Sequence, residues 1–424
     1  MTTTTTTRDR WILYGNHKVD CRFIPISSYH TVFAFSKMIF RTTAVFALFT
    51  ASASAFAPTS GSHMGSRTST SLDMSAALIV QNKGGGHGEL GYQLAKNLMN
   101  NDKITSITIL QDDACKDEQE PFRSYASDLP DVKVIKAPIS DGISAEEMQK
   151  LLEGATFEYV WDNASKNNEG SGKAVLDCAQ SWNVKLLTYV SSAGMYTPAA
   201  NGPFPMPETT PIKESAGQNL YDQAAVAAGL PLVSFRPQYI YGPKANKYDY
   251  LDWYFDRIVR GLPLPIPGDG TQMVSITNSE DVASILASPL NNEEAAVEQR
   301  FFNCGSDQLI SYADLATRCA EAAGVECPEL VYYDANLLGK GKFPFRPSNF
   351  YVAPDKVKEK LGWTGASHAI VEDLGPYFEN YKARGGMDKQ LSLVKDWEIV
   401  CGHMTPMYEK VSSIYEKYDP LVLN

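Results

Sequence analysis

The stretch from Ala76 to Tyr92 restricts the architecture of this chain more than any other. An apolar run, Ala76-Ala77-Leu78-Ile79-Val80, gives way to Gly84-Gly85-Gly86-His87-Gly88, and Leu90, Leu94 and Leu98 follow at helical spacing. Strand, glycine turn and helix in that order open a βαβ unit of the dinucleotide-binding kind. Gly85, Gly88 and Gly91 stand at GxxGxxG spacing, and Gly86, Gly88 and Gly91 also satisfy GxGxxG. The early glycines permit a tight turn and close approach of a pyrophosphate, and the last lets the helix pack on the strand. The helix N-terminus then presents unpaired N–H groups to phosphate.

Further on, strand-like runs alternate with helical patterns. Ile104–Leu110, Tyr159–Trp161, Leu186–Val190 and Leu232–Phe235 read as strands, and 145–153 and 171–182 as helices. This alternation predicts an α/β fold with a Rossmann-like, doubly wound parallel sheet over residues 76–235. From about residue 236 the pattern changes to longer loops and short elements, as expected of a smaller C-terminal, substrate-side lobe over 236–386. A helical tail is expected over 387–424.

The chain of 424 residues carries a net charge of −11. Such an acidic balance argues against a generic nucleic-acid coat and requires any polyanion site to be a local basic patch. The seven cysteines show no CxxC pair, which fits a reducing compartment and neither a disulfide framework nor a zinc site.

Residues 1–75 read as an address. Residues 1–37 lie upstream of a natural start at Met38 and are expected to be a gene-model extension. Residues 38–55 have the parts of a signal peptide: Arg41, the core Ala44-Val45-Phe46-Ala47-Leu48-Phe49, then small residues with an A-x-A site. The apolar run is too short and too polar for a stable membrane span. Residues 56–75 are Ser/Thr-rich and open with Phe56-Ala57-Pro58. Ala53-Ser54-Ala55-Phe56-Ala57-Pro58 resembles the junction of bipartite presequences in algae with secondary plastids, which implies a transit peptide and a stromal destination. Without residues 1–74 the chain has 31 Lys and Arg against 46 Asp and Glu, a net of −15.

Several fragments resemble the extended short-chain dehydrogenase/reductase superfamily, with its NAD-dependent epimerases and dehydratases. Besides the glycine loop they are Tyr189-Val190-Ser191-Ser192-Ala193-Gly194-Met195-Tyr196, Phe235-Arg236-Pro237-Gln238-Tyr239-Ile240-Tyr241-Gly242-Pro243, Pro263–Gly270, Asp281-Val282-Ala283, Phe302–Ser306 and Leu361-Gly362-Trp363. A narrower set is similar to the chloroplast stem-loop-binding proteins: Val80–His87, Ser234–Tyr239, Trp253–Arg260 and Lys342-Phe343-Pro344-Phe345-Arg346. That resemblance implies plastid RNA as partner, ribonucleoprotein complexes and endonucleolytic cleavage.

Hydride-transfer members need a Tyr-x-x-x-Lys pair, in which the lysine lowers the phenol's pKa, and a Ser or Thr for the substrate oxygen. Ser192 stands at the family's serine, but the nearest tyrosine, Tyr221, has Ala225 where lysine is required. Both are therefore vestigial catalytic candidates. The cofactor-binding candidates are Gly85, Gly86, Gly88, Gly91 and Asp112, the last about 20 residues after Gly91, where an acid would hold a ribose. Gln111, just past the expected strand end, stands where relatives often have Asp. The cofactor expected is NAD(P). RNA contact is expected at Lys340, Lys342, Phe345 and Arg346, and at Arg257 and Arg260 with Lys244 and Lys247 nearby; cations meet phosphates while rings stack on bases. A divalent cation such as Mg²⁺ would need carboxylates from Asp162, Asp249, Asp252, Asp256 or Asp281. The alternatives are an NAD(P)-dependent epimerase, dehydratase or reductase on a nucleotide sugar, and a non-catalytic scaffold of a plastid complex. An oligomer is compatible with each.

Overall fold

A computed structural model of the chain describes residues 75–84 and 88–403, together with a short antiparallel pairing of Leu13–Tyr14 with His17–Lys18. That pairing belongs to a unit of its own, Met1–Thr68, and the rest to a unit Ser69–Asn424. Apart from that pairing, the expected extension, the signal peptide, the transit peptide up to residue 74, the pair Gly85 and Gly86, and the tail beyond His403 lie outside the described residues.

Seven parallel strands form the main sheet: β1 (Ala76–Gln81), β2 (Ser106–Asp112), β3 (Lys133–Ala137), β4 (Tyr159–Asn163), β5 (Leu186–Val190), β6 (Leu232–Pro237) and β7 (Phe301–Cys304). Their order across the sheet is 7-6-5-4-1-2-3. The direction of winding reverses between β1 and β4, so a crevice opens beyond their C-terminal ends. Alternate residues serve opposite faces. Ala77, Ile79, Tyr159, Trp161, Val233 and Phe235 pack with helix α1 (Leu90–Met99) on one side. Leu78, Val80, Val160, Leu187, Tyr189 and Leu232 pack on the other, with α2 (Ala145–Leu151), α3 (Ser171–Trp182) and α4 (Gly217–Ala227). Two covered faces explain why the central strands read as nearly continuous apolar runs.

Strand β3 has no such run. It is an edge strand whose Lys133 and Lys136 face solvent, a pattern that protects an edge from further pairing and hides the strand from a hydrophobicity reading. Strand β2 also continues to Asp112, two residues beyond the expected end at Leu110.

The segment 236–386 divides its residues between two cores. Strand β7 and helix α6 (Ser279–Ala287) join the main sheet and its covering layer. The smaller core gathers helix α5 (Asp249–Ile258), the parallel pair Leu264–Pro267 and Leu330–Tyr333, helix α7 (Tyr312–Ala323) and helix α8 (Ile370–Ala383). From the expected tail, helix α9 (Val394–His403) covers Leu262 and Val331 with Leu393 and Val400. Among the described residues no helix is long and apolar enough to cross a membrane.

The first helix is fastened at both ends of its opening turn. The Gln81 side chain donates to the Gly88 carbonyl (2.8 Å) and accepts from Asn163 Nδ2 (2.6 Å). It lies against Gly91, where a Cβ would run into the Gln81 amide. Glu89, buried beside Gln93 (2.8 Å) and the Lys244 N–H (3.2 Å), has its carboxyl pushed up by burial from the ordinary 4.5 to about 7. Gln93 reaches on to Glu280 (3.4 Å), which His368 Nε2 approaches at 3.3 Å while His368 Nδ1 meets Asp373 at 3.1 Å. Lost hydration alone would lower the His368 pKa, but the carboxylates of Asp373, Glu280 and Asp281 raise it overall above 6.5.

Two outcomes are expected. Gly91→Ala forces the Gln81 amide out of its place and lowers unfolding stability by roughly 1–3 kcal/mol in a denaturant titration; an unchanged midpoint contradicts this packing. An acid or imidazole with a raised folded-state pKa stabilises below its unfolded pKa and loses that contribution as pH rises through the folded value. Stability therefore falls from about pH 5 to pH 8, with Glu89 contributing on the order of 3 kcal/mol of the change. Glu89→Gln should flatten the curve of melting temperature against pH, and parallel curves for the two proteins would exclude Glu89 as the source.

Candidate functional site

A cleft of about 1320 Å³ lies beyond the C-terminal ends of the strands, where the switch of winding places it. Asn82, Gly84, Asp112, Asn163, Ser192 and Pro237 bring the ends of β1, β2, β4, β5 and β6 to its floor. The opposite wall comes from the smaller core: Lys247, Tyr250, Trp253 and Arg257 on or before α5, Lys340, Lys342 and Arg346 from the loop after Leu330–Tyr333, and Lys389. Arg346 closes one side by donating to the Gly194 carbonyl at 2.8 Å, with its guanidinium 3.8 Å from the Phe350 ring centre. Tyr239 is held at φ +39°, a left-handed backbone that a bulky residue rarely adopts. Its hydroxyl accepts from the Arg346 N–H at 3.2 Å, and its ring packs on Phe345 and Tyr250. The strained residue thereby joins strand β6 to the basic loop.

The structure assigns different roles to the vestigial catalytic candidates. Ser192 lines the cleft, but its hydroxyl accepts from the Gly194 N–H (3.0 Å) as the cap of a short helical turn. Tyr221 is fully buried, stacked on Tyr189 with ring centres 3.9 Å apart, and burial pushes its phenol far above the ordinary 10. It faces the sheet and not the cleft. The residue of α4 that does line the cleft is Gln218, and four residues before it stands Glu214. No tyrosine–lysine pair at that spacing reaches the cleft from this helix.

Of the cofactor-binding candidates, Gly88, Gly91 and Asp112 are described. Asp112 ends β2 at the cleft, with Oδ1 accepting from the Ala114 N–H (3.0 Å) and Oδ2 from the Ser140 hydroxyl (2.5 Å). Gln111, one residue earlier, points away: it donates to the Asn82 carbonyl (2.8 Å) and accepts from Tyr125 (3.1 Å).

The expected RNA contacts separate cleanly. Lys340, Lys342 and Arg346 line the cleft, and no carboxylate stands within ion-pair distance of them among the described residues. Phe345 is fully buried in the smaller core, so its ring cannot stack on a base. Arg260 is buried too: it donates to the carbonyls of Asp256, Gly386, Met387 and Lys389 and to the Tyr381 hydroxyl. Arg257 reaches the cleft wall but is spent on Asp396 (2.5 Å) and the Trp253 carbonyl (2.6 Å). Lys244, near these in sequence, turns to Ser124 and Glu120. Three cleft lysines escaped the sequence reading as cations, Lys83, Lys166 and Lys389; a single lysine in a loop carries no pattern that announces its neighbours.

The carboxylates expected to hold a divalent cation do not gather. Asp252 is held by Tyr377 and Arg384, Asp256 by Tyr381 and Lys389, Asp281 by Ser367 and the His368 N–H, and Asp162 by two N–H groups of its own turn. Among the described residues no group of three or more metal-ligating side chains assembles.

Comparison with known proteins places this geometry. Residues 84–305, just over half of the chain, match the model of the NAD dependent epimerase/dehydratase family. The chain is 31% identical over 253 residues to the chloroplast stem-loop binding protein of 41 kDa b of Arabidopsis thaliana, covering 59% of this chain and 65% of that protein. It is 23% identical over 323 residues to a trifunctional UDP-glucose 4,6-dehydratase, epimerase and reductase of the same plant, covering 70% of this chain and 47% of that one. The match thus spans less than two thirds of either relative. Among solved structures, dTDP-glucose 4,6-dehydratase from Bacillus anthracis, in complex with NAD, superposes with a TM-score of 0.58 at 15% identity, covering 74% of this chain and 98% of that chain. UDP-glucose 4-epimerase from Thermus thermophilus, also with NAD, gives 0.54 at 19% identity, covering 72% and 99%.

The cleft fits one end of such a dinucleotide. Gly84 and Gly88 leave bare backbone beside the start of α1, and Asp112 and Ser140 stand at the tip of β2 where a ribose would lie. The other end lacks the tyrosine–lysine pair of α4 that hydride chemistry on a bound nicotinamide would use, because the cleft-lining residue there is the uncharged Gln218 and Glu214 stands four residues before it. With its parallel sheet, its glycine turn and its cleft at the switch point, the chain belongs to the NAD-dependent epimerase/dehydratase family.

Proposed function

We propose that this protein binds structured RNA in the cleft, as a plastid protein delivered by its leader and working within ribonucleoprotein complexes. The observation that carries the reading is the set of cleft cations without a carboxylate partner among the described residues: Lys83, Lys166, Lys340, Lys342 and Arg346. Elsewhere in this chain of net charge −11 surface lysines do sit beside acids, as Lys133 does with Glu153 and Lys173 with Asp177. Cations left uncompensated on both sides of one cleft create a local positive potential that draws in phosphates. Tyr250 and Tyr239, half-buried on the same wall, offer ring surface to unpaired bases. The likeness to a chloroplast stem-loop binding protein supports both the partner and the compartment.

The reading stops at binding. No histidine lines the cleft among the described residues, and of the carboxylates of α5 Asp252 and Asp256 are already held by Arg384 and Lys389 while Asp249 stands 3.7 Å from Lys247. A second reading, an epimerase or dehydratase acting on a nucleotide sugar, is favoured by the family match and by the adenosine end of the cleft. The Glu214/Gln218 spacing counts against it.

Lys340→Ala and Lys342→Ala should each weaken binding of a labelled stem-loop RNA about fivefold, equivalent to ~1 kcal/mol for one exposed charge pair. Each should also reduce the slope of log affinity against log salt by roughly 1. Arg260→Met should instead lower the melting temperature and leave the affinity of the folded fraction unchanged, because Arg260 ties carbonyls inside the fold. RNA affinity insensitive to both lysines and to salt would reject the cleft as the RNA site.

A further inference from the structure

We infer that RNA and a dinucleotide exclude each other from this protein, so that nucleotide occupancy regulates RNA binding; this rests on the cleft being the RNA site. The two ligand surfaces are not separate. The strand-end residues suited to an adenosine diphosphate (Gly84, Asp112, Ser140) and the unpaired cations (Lys340, Lys342, Arg346) line one continuous volume of about 1320 Å³. Arg346 binds the Gly194 carbonyl directly, so the basic loop stands over the end of β5 and not on a remote face. An RNA strand held by these cations therefore runs across the floor that a dinucleotide would occupy.

The charge distribution points the same way. The lining acids without a cation partner among the described residues, Asp141 and Glu169, lie on the strand-end side with Asp112, mixed with Lys83 and Lys166, whereas on the opposite wall Lys340, Lys342 and Arg346 have no carboxylate partner, Lys342 donating to Ser392 and Arg346 to the Gly194 carbonyl. The hydroxyl and amino groups of RNA nucleosides suit the first side, and RNA phosphates suit the second. Asn246 adds a physical contact: its side chain leans onto the bare backbone of Gly84 and Gly88. It lies one residue before Lys247 of the basic wall, so that a diphosphate seated on those glycines must displace the Asn246 side chain beside that wall.

Two titrations of the full-length chain test this. Fluorescence anisotropy measures a labelled stem-loop RNA against added NAD, and equilibrium dialysis measures NAD against added RNA. Competition is reciprocal, so NAD at ten times its own dissociation constant should raise the apparent RNA dissociation constant about elevenfold. Saturating RNA should release the NAD. Lys342→Glu should weaken RNA and leave the NAD dissociation constant unchanged. A ternary complex, with RNA affinity unaffected by saturating NAD, overturns the inference while leaving RNA binding intact, as does a protein that binds RNA and takes up no NAD. Failure to bind RNA at all overturns the proposed function and this inference with it.

Discussion

One side-chain amide holds the centre of this fold together. Gln81 ends β1 at the point where the sheet reverses its winding, and its side chain joins the Gly88 carbonyl to Asn163 at the end of β4. Both partners are buried, so the amide replaces hydrogen bonds that water cannot supply there. Gly91 must lack a side chain for this to happen, because the Gln81 amide occupies the space of its Cβ. The helix can then start close to the strands, and the crevice beyond β1 and β4 has a rigid floor. The geometry of the cleft depends on that floor.

Around it, the cations divide by what they satisfy. Arg236, Arg257 and Arg260 have buried guanidinium groups aimed at carbonyls, hydroxyls and the carboxylates of Asp396 and Asp256. A planar fork with several donors suits that work, and its charge is then unavailable to a ligand. Lys340, Lys342 and Lys83 keep their ammonium groups exposed at the cleft. The distinction between cations held inside the fold and cations left exposed is one of burial and partners, and it runs through motifs that look uniformly basic in sequence.

The family's fold and the family's chemistry part company at α4. The helix packs on the sheet as the parallel architecture requires, and Tyr221 serves that packing by stacking on Tyr189. What α4 offers the cleft is Gln218, which cannot lower a phenol's pKa by charge as a lysine would. Fold likeness to sugar-nucleotide enzymes at 15–19% identity speaks to architecture alone. A family scaffold with a basic cleft and no tyrosine–lysine pair on α4 is consistent with recognition of a nucleotide polymer.

The sequence by itself determined the architecture. Strand, glycine turn and helix at 76–98, followed by regular alternation, admit little else, because a parallel sheet needs apolar strands and crossover helices, and both leave periodic marks. It also exposed the missing lysine at 225, and it placed Asp112, Ser192 and the Lys340–Arg346 loop. It missed β3, whose lysines belong to an edge, and it merged Phe345, Arg257 and Arg260 with true surface cations and rings. It could not find Gln218 as the residue of α4 that meets the cleft, nor join Lys166 and Lys389 to the basic loop. Those were decided only by tertiary structure. Local pattern records which face of an element is apolar, whereas the partners of a charged side chain come from segments 100 or more residues away, as Asp396 does for Arg257.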